Sequence, residues 1–419
     1  MPHRGPTTAM SATGRLWWPV AAVMFAVAWG GNEFTPLLVM YRERGLGTVT
    51  VDALLGAYVL GIVPALLLGG PLSDRFGRRP LLLPAAPVAA LGSLVLSLGA
   101  DMPWVLGAGR VLSGVALGLV MAVGTTWVTE LAVRGGDSAA GARRASLALT
   151  AGFLVGAGVA STLAQWGPWP HHLTYVVHAV LAVGSALWVL RVPETVPHAG
   201  VRVSRLRDDL RFPAVSHRRF LRVVLPTAPW VFGCAGAAYA VLPSLLADHA
   251  GTVPVAFAGL MTVLTLGCGI GIQVVARRID THRSARASVV AMVLIVVGMG
   301  LGALAAFTLS LAAGLVAAAV LGVGYGLALV AGLSEVARIA QPRQLAGLTA
   351  VYYSIAYLGF FVPMALAWLA RTWSYGQMFG AGTLLASVCL GVVATAWKAH
   401  LPVRMLAPDR VLATSSEAS

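Results

Sequence analysis

The chain has 419 residues, of which 58% are apolar and only 11% are charged, and its mean hydropathy is +0.82. An ordinary soluble domain is about a quarter charged, so this composition excludes a soluble globular protein and indicates an integral membrane protein. The net charge of +14 would suit a nucleic-acid partner, but 25 of the 29 Lys and Arg residues fall in segments that we assign to the cytoplasmic side. This positive-inside bias accounts for the basicity, and we expect no nucleic-acid partner.

Long apolar runs follow one another along the chain. Residues 1–15 are polar and are expected to form a cytoplasmic tail. The first apolar run, Leu16–Met40, is too long for the core of a signal peptide and predicts a membrane-spanning helix. Eleven further runs have the roughly 20 residues that a bilayer crossing requires. They lie at residues 50–72, 80–100, 103–131, 145–166, 171–190, 220–246, 253–276, 286–309, 311–335, 345–370 and 375–397.

Twelve spans place both termini on one side of the membrane, and the Arg-rich loops assign that side to the cytoplasm. A long polar segment, 191–219, separates six spans from six. We therefore predict an all-α fold with an N-terminal half at 16–190, a cytoplasmic linker at 191–219, a C-terminal half at 220–397 and a cytoplasmic tail at 398–419. The basic linker is either solvated or lies on the anionic membrane surface.

The turn between the second and third spans carries the most specific motif. Residues 69–80 read GGPLSDRFGRRP, with one acid among three arginines between two apolar runs. The pattern G-x-L-x-D-R-x-G-R-R resembles the signature loop between helices two and three of the major facilitator superfamily of secondary transporters. The resemblance implies a twelve-helix fold of two pseudo-symmetric six-helix halves. Its gating residues would be Gly70, Asp74, Arg75, Gly77 and Arg78. From the residues alone, Gly70 is expected to allow close helix approach and Gly77 to allow a turn with positive φ.

The two halves share short sequence echoes. Span four contains Gly114 and Gly118 in the pattern GVxxGL, and span ten repeats that pattern at Gly322 and Gly326. The segment that ends at Asp280 is a degraded counterpart of the Asp74 loop. Duplicated halves are what alternating access requires, with a binding site at their interface near the middle of the membrane.

Charges inside membrane spans are costly and are therefore candidate functional residues. Glu33 lies about 25 Å along the first span, and Arg110 lies at a similar depth about 10 Å into the fourth. Arg110, Gly114 and Gly118 form one stripe on their helix. We expect Glu33 and Arg110 to pair. The pair is either a static structural bridge or a titrating site in which Glu33 takes a proton as substrate leaves.

A second, shorter resemblance concerns these two spans. The segment that contains Gly31, Asn32, Glu33 and Pro36 is similar to helix one of the MdfA-type multidrug/proton antiporters, and Arg110-x-x-x-Gly114 is similar to the helix-four motif of proton-coupled members. The resemblance implies that Glu33 is a proton and substrate site, Arg110 its partner and Asn32 a neighbour.

Departures from the family patterns bear on the direction of transport. Drug antiporters usually carry a Gly-Pro pair in helix five, where this chain has Ala157 in place of Pro, which counts against export. Glu130 and the Pro-Glu-Thr that contains Glu194 look like sugar-porter features, but the paired glutamines of sugar porters are absent from helix seven.

Two further groups of side chains are candidates. Charged residues near the cytoplasmic helix ends are expected to form ion pairs that close the inner side in one state, or ordinary interfacial bridges. They are Glu130, Glu194, Glu335 and Arg338, with Arg75, Arg78 and Arg134 nearby. Aromatic residues of spans seven, ten and eleven either line an amphipathic cavity or pack against neighbours. They are Trp230, Tyr239, Tyr325, Tyr353 and Tyr357.

These patterns predict a secondary active transporter of a small molecule in a bacterial cytoplasmic membrane, coupled to protons through Glu33 and Arg110 and exporting hydrophobic or amphipathic compounds. The alternatives are proton-coupled uptake of a metabolite or organic anion, and a non-transporting receptor or scaffold. No phosphate loop, nucleophile elbow or metal-binding motif is found, so we expect no enzyme activity, cofactor, metal or ATP. We expect a monomer in the lipid bilayer.

Overall fold

The computed structural model describes residues 16–399, apart from residues 136, 138–139, 197–212, 282 and 342–343. The described residues form membrane-length helices joined by short turns. Eleven of these helices are long and apolar enough to cross a membrane, and a twelfth, shorter apolar helix of 17 residues lies between the fifth and the seventh. The predicted all-α membrane fold is confirmed.

The helices are numbered here in chain order. The N-terminal half contains α1 (Trp17–Glu43), α2 (Thr48–Phe76), α3 (Arg78–Leu98), α4 (Pro103–Arg134), α5 (Gly141–Trp166) and α6 (Leu173–Val189). The C-terminal half contains α7 (Phe220–Ala250), α8 (Pro254–Ile279), α9 (Arg286–Thr308), α10 (Leu311–Ile339), α11 (Leu345–Leu369) and α12 (Tyr375–Thr395). The side that holds residues 16 and 399 is called the inner side below, and the opposite side is called the outer side.

The same helix pairs pack in both halves. In the N-terminal half α2 packs on α4, α1 on α5, and α3 on both α4 and α6. The corresponding pairs six helices later are α8 with α10, α7 with α11, and α9 with α10 and α12. The halves meet where α5 packs on α8 and where α2 packs on α11. These two contacts are equivalent under the exchange of halves, as expected of a pseudo-two-fold repeat.

The repeated glycines of α4 and α10 explain the closest of these packings. A Cβ at Gly114 would lie 2.2 Å from the backbone oxygen of Tyr58 on α2, and a Cβ at Gly322 would lie 2.4 Å from that of Thr265 on α8. Only glycine permits two helix backbones to approach this closely. The sequence echo therefore corresponds to one packing arrangement made twice.

Helix α1 is interrupted at Glu33. Its first segment ends at Asn32, a tight 3₁₀ turn spans Thr35–Leu37, and the helix resumes at Leu38. Proline has no backbone N–H, so Pro36 cannot donate the helical hydrogen bond to the carbonyl of Asn32. Glu33 itself keeps helical dihedrals, with φ −60° and ψ −30°, and its N–H bonds to the carbonyl oxygen of Trp29. The chain therefore passes this point as a tightened helix inside the bundle.

Candidate functional site

Glu33 is completely buried at the centre of the N-terminal half. One carboxyl oxygen, Oε1, lies 2.7 Å from the hydroxyl oxygen of Ser93 on α3, within hydrogen-bond distance. The same oxygen lies 3.5 Å from Nδ1 of His178 on α6. The other oxygen, Oε2, is buried and has no hydrogen-bond partner. The carboxyl group is therefore held at one end and is left unsatisfied at the other.

The expected ion pair between Glu33 and Arg110 is wrong for this conformation. The two charges interact electrostatically, but no ion pair joins these two residues. The Glu33 carboxyl group contacts Ser93 of α3 and His178 of α6. The Arg110 guanidinium is instead 1% exposed and donates to the carbonyl oxygen of Gly31 at 3.3 Å.

Among the described residues, the Arg110 guanidinium contacts two aromatic rings and no carboxylate. Its central carbon lies 4.0 Å from the centroid of the Tyr58 ring and 4.7 Å from that of Phe34. A cation over an aromatic face is attracted by the quadrupole of the ring, more strongly when water is excluded. Nε of Arg110 is buried without a hydrogen-bond partner. Arg110 thus keeps unused hydrogen-bonding capacity beside Glu33.

Asn32 faces α5 and does not contact the carboxylate of Glu33. Its amide nitrogen lies 3.5 Å from the carbonyl oxygen of Phe153, and its amide oxygen accepts a hydrogen bond of 3.0 Å from Thr35. Asn32 therefore fastens the broken segment of α1 to its own turn and to α5.

His178 is a part of the site that the sequence analysis missed. It is fully buried on α6, where Nδ1 lies 2.6 Å from the Ser93 hydroxyl and Nε2 lies 2.9 Å from the carbonyl oxygen of Ala26. The signal was present in the sequence, because His178 is an ionisable residue in the middle of an apolar run. Histidine is neutral at its ordinary protonation state near pH 7, so it does not stand out among charged residues in a span.

An aromatic cluster connects the site to the C-terminal half. The ring of Tyr58 lies edge-on to Phe360 of α11 at 6.4 Å, and Phe360 stacks on Phe232 of α7 at 5.0 Å. Phe232 in turn stacks on Tyr357 at 4.4 Å, and the Tyr357 hydroxyl lies 3.2 Å from the sulfur of Met121 on α4. The cluster crosses the interface between the halves near mid-depth.

The five aromatic candidates for a cavity lining divide into two groups. Tyr239, Tyr325 and Tyr357 are buried and pack against neighbours. The Tyr325 ring, for example, fills the space beside Gly269. In this conformation these three side chains pack against neighbours and do not line a cavity. Trp230 and Tyr353 are partly exposed and keep the cavity role as a proposal.

The α2–α3 turn gathers several polar side chains around Arg78. Its guanidinium lies 2.5 Å from Asp74, 3.0 Å from Glu130 on α4 and 2.7 Å from the Ser73 hydroxyl. Gly77 has a φ of +102°, which an L side chain rarely adopts. The expectation that Gly70 packs closely against a helix is wrong, since a Cβ there would meet nothing within 4 Å. The adjacent glycine, Gly69, faces α4 instead.

Comparison with known proteins assigns this fold to a family. A model of the Major Facilitator Superfamily matches residues 20–364. The chain belongs to the Major Facilitator Superfamily. The predicted family and fold are therefore confirmed, and the chain is a multi-pass membrane protein of a transporter family rather than an enzyme.

Several characterised members of the superfamily are similar in sequence. The chain is 28% identical to chloramphenicol resistance protein CraA of Acinetobacter baumannii over 289 residues, which are 65% of this chain and 66% of that protein. It is 32% identical to mouse solute carrier family 2, facilitated glucose transporter member 10, over 37% of this chain and 28% of that one. It is 30% identical to the arabinose-proton symporter of Bacillus subtilis over 34% of this chain and 31% of that one. The match thus spans between about a quarter and two thirds of the length of these relatives.

Solved structures show the same fold. A POT family transporter bound to 5-aminolevulinic acid superposes with a TM-score of 0.72 at 13% identity, over 91% of this chain and 96% of that one. A D-xylose-proton symporter superposes with a TM-score of 0.68 at 15% identity, over 91% and 97% of the two chains.

In this member of the superfamily, Glu194 caps the N-terminus of α3. Its carboxylate accepts four backbone N–H hydrogen bonds of 2.8–3.0 Å, two of them from the first residues of α3. The donors are Arg78, Arg79, Thr195 and Val196. Burial alone would raise the pKa of Glu194, but these donors outweigh it and hold the pKa below its usual range.

The C-terminal half has its own inner ion-pair network. Glu335 lies 2.8 Å from Nη2 of Arg219 and 2.5 Å from Arg338, and Arg338 also lies 2.6 Å from Asp280. Arg219, which the sequence analysis assigned to the linker, is completely buried at the start of α7. Asp280 directly follows α8, and Asp74 lies near the end of α2, which is the equivalent helix of the N-terminal half.

The ion pairs that involve Glu130, Glu335 and Arg338 each stay within one half. They therefore do not close the inner side in this conformation. The hydrogen bonds described between the halves lie on the outer side, through Gln165, and at mid-depth, through Tyr357 and Met121.

Proposed function

We propose that this protein exports hydrophobic or amphipathic small molecules from the cytoplasm in exchange for protons, with Glu33 as the proton-binding group. The proposal rests on the environment of the Glu33 carboxyl group. It is fully buried, unpaired with Arg110 and partnered at only one of its two oxygens.

A carboxyl group in this setting responds to its surroundings. Burying an ionised carboxylate without a full set of partners is strongly unfavourable, so a buried group binds a proton unless a cation or water reaches it. Had Glu33 formed a short ion pair with Arg110, the charge would be held in place. Without that pair, a change in access to Glu33 changes whether it carries a proton.

The neighbours of Arg110 supply a route by which movement of the halves reaches Glu33. Arg110 lies over the Tyr58 ring, and Tyr58 contacts Phe360 on the opposite half. When the halves rock, the Tyr58–Phe360 contact must change, because the two rings belong to different halves. The position of the Arg110 charge relative to Glu33 would change with it, which couples proton release to the conformational step.

The chemistry around the site favours apolar or amphipathic substrates. In this conformation the rings of Tyr58, Phe232, Tyr357 and Phe360 pack on one another. When the halves rock apart, these rings would expose stacking surfaces with few hydrogen-bonding groups. Such a lining suits compounds recognised by shape and apolar area. The similarity to CraA and the MdfA-like segments of α1 and α4 support export.

The second candidate is proton-coupled uptake of a metabolite or organic anion. It is favoured by Arg110, whose buried Nε has no partner and could donate to a carboxylate of a substrate. The similarity to sugar transporters, including the arabinose-proton symporter, supports uptake as well. In either direction we propose a cytoplasmic membrane location with both termini in the cytoplasm, and a monomer.

Proton movement in proteoliposomes tests the proposal. Wild type and Glu33→Gln are compared under an imposed pH gradient, with chloramphenicol, tetraphenylphosphonium and small organic acids as test compounds. Glu43→Gln is the control, because Glu43 is an exposed acid at the outer end of the same helix. We expect a compound to dissipate the gradient in wild type and the control but not in Glu33→Gln, and the gradient orientation that responds gives the direction.

Equal proton flux in wild type and Glu33→Gln would remove Glu33 from coupling. Substrate flux in wild type that does not depend on the gradient would contradict proton coupling itself. Binding of a test compound with no flux of compound or protons would favour the receptor alternative.

A further inference from the structure

Three side chains from three helices form a continuous hydrogen-bonded chain. Glu33 of α1 contacts Ser93 of α3 at 2.7 Å, and Ser93 contacts His178 of α6 at 2.6 Å. All three side chains are completely buried. The chain ends at the carbonyl oxygen of Ala26, 2.9 Å from Nε2 of His178.

The tautomer of His178 follows from this last contact. A backbone carbonyl can only accept a hydrogen bond, so Nε2 of His178 must carry a hydrogen. The ring is also fixed in position, since it lies against Gly30, where a Cβ would come within 2.3 Å of Cε1. In neutral His178, Nδ1 therefore presents a lone pair to Ser93.

The two contacts of Ser93 need one more hydrogen than an ionised Glu33 and a neutral His178 supply. The Ser93 hydroxyl has a single hydrogen, and it faces an acceptor on each side: the Glu33 oxygen and Nδ1 of His178. If Glu33 is ionised and His178 is neutral, one of the two short contacts brings two lone pairs together. An additional proton, on either Glu33 or His178, supplies a donor for both contacts.

We infer that Glu33, Ser93 and His178 form a proton-binding triad that holds one proton beyond a carboxylate and a neutral imidazole in this conformation. The proton rests on Oε1 of Glu33 and can pass to Nδ1 of His178 through the Ser93 hydroxyl. This inference rests on the proposed function and adds His178 and Ser93 to its proton site.

The transfer conserves atoms and charge. The O–H bond of Glu33 breaks as a new O–H bond forms at Ser93, and the original Ser93 proton moves to Nδ1. The product is a carboxylate, an unchanged serine and an imidazolium. At rest the neutral pair is favoured, because two neutral groups cost less to bury than a carboxylate and an imidazolium without further partners.

The surrounding groups set the balance between these two forms. The positive charge of Arg110 from α4 opposes an imidazolium and favours a carboxylate. Tyr41 and Tyr175 satisfy each other through a hydroxyl contact of 2.7 Å. The titratable groups around the triad are Tyr41 of α1, Tyr58 of α2, Arg110 of α4, Tyr175 of α6 and, through its interaction with Arg110, Tyr239 of α7.

Infrared spectroscopy of the purified full-length protein tests the resting proton. A protonated carboxylic acid has a carbonyl-stretch band that a carboxylate lacks. We expect such a band at neutral pH in wild type, and we expect Glu33→Gln to remove it. Absence of any band that depends on Glu33 at neutral pH would overturn the inference.

Variants of His178 test whether the proton is shared. In His178→Gln the donor to Ala26 can be kept while the Nδ1 acceptor is lost, so the Ser93 hydroxyl is free to stabilise the Glu33 carboxylate. We expect the midpoint pH of the band to fall by about one unit, the equivalent of one hydrogen bond. In His178→Asn, which can place an acceptor near the Nδ1 position, we expect a smaller shift.

A second Ser–His contact, between α3 and the residue that precedes α6, provides the control. Nδ1 of His172 lies 3.0 Å from the Ser97 hydroxyl, with no carboxylate described beside it. His172→Gln should leave the band unchanged. An equal shift in His172→Gln and His178→Gln, or no shift in either His178 variant, would contradict the shared proton.

The two proposals fail in different ways. If Glu33→Gln abolishes proton flux while neither His178 variant shifts the midpoint pH of the band, the proposed function stands and the triad fails. If the band responds to His178 but no compound drives proton flux, the triad stands and proton-coupled transport fails.

Discussion

The side-chain oxygen of Gln165 on α5 accepts a hydrogen bond of 3.0 Å from the backbone N–H of Val255 on α8. It accepts a second of 3.0 Å from Ala256, and its amide nitrogen donates to the carbonyl oxygen of Thr252 at 3.1 Å. The first backbone N–H groups of a helix have no partner within the helix. One side chain of the N-terminal half therefore caps a helix of the C-terminal half on the outer side.

Removing this cap should favour opening of the outer side. At this accessible position water replaces the three lost hydrogen bonds, so we expect a change of only about threefold to tenfold in the open population. We expect Gln165→Ala to raise the labelling rate of a cysteine placed at Ser161 by that factor. Ser161 packs against Gly259 of α8 at the same interface and is covered while the halves touch. The native cysteines, Cys234, Cys268 and Cys389, are first replaced.

Gln377→Ala is the matched control for this experiment. Gln377 also caps a helix N-terminus, but it does so together with Ser374 of its own helix and bridges no interface. Its loss should leave the labelling of position 161 unchanged. Equal labelling in Gln165→Ala and wild type would show that the cap does not hold the outer side closed.

Hydropathy predicted the membrane spans, and the resemblance of the loop at residues 69–80 to the superfamily's signature implied their arrangement in two halves. The sequence also identified Glu33 and Arg110, since a charge inside an apolar run is conspicuous. It did not predict their separation, which depends on the direction in which the chain leaves the break before Pro36. That direction is set by packing of α1 against α3, α5 and α6, which no local pattern encodes.

Arg219 illustrates a second limit of the sequence. It ends the basic, polar segment 191–219, which predicts a cytoplasmic linker that is either solvated or lies on the anionic membrane surface. Its burial depends on Glu335, 116 residues further along the chain, which accepts its hydrogen bonds. Spacing along the chain reveals partners on one helix but not partners on two different helices.

The glycine contacts of the N-terminal half lead to a prediction about stability. Gly114→Ala would place a Cβ within 2.2 Å of a backbone oxygen, which cannot move as a side chain does. We expect it to lower the free energy of unfolding by about 1–3 kcal/mol. Gly70→Ala, with open space around it, should cost nothing and can gain from the better helix propensity of Ala. Thermal unfolding in one detergent compares the two variants.

The corresponding glycine of the C-terminal half extends this test. Gly322→Ala meets the backbone of α8 in the same way and should lose a similar amount. Equal stability of Gly114→Ala and Gly70→Ala would mean that the α2–α4 contact can relax, and that close approach is not what requires glycine there.

Glu194 should make stability depend on pH in the acid range. Its pKa in the folded protein lies below the ordinary value of 4.5, so folding favours the ionised form. A group of this kind contributes stability that is fully present above its unfolded pKa and is lost as the pH falls through its lower folded pKa. We expect wild type to exceed Glu194→Gln in melting temperature at pH 6, with the difference shrinking as the pH approaches 3. A difference that stays constant over this range would contradict the role of the charge.

Arg219 gives a prediction about the inner side of the C-terminal half. Its guanidinium is completely buried and makes two hydrogen bonds of 2.5 and 2.8 Å to Glu335. Removing one partner of a buried pair leaves the other charge uncompensated, which typically costs about 3–5 kcal/mol. Arg338 still contacts Glu335 and offsets part of this cost, so we expect Arg219→Gln to lose about 3 kcal/mol.

The neighbouring residue supplies the control for Arg219. Arg218 carries the same charge one position earlier, but it is exposed. Arg218→Gln should change stability by less than about 0.5 kcal/mol, as is usual for surface positions. Chemical unfolding of both variants decides the matter, because they differ from wild type by the same change in net charge. If both unfold like wild type, the buried pair contributes no net stability. If both lose the same amount, the effect comes from the positive charge at the membrane surface and not from the contact with Glu335.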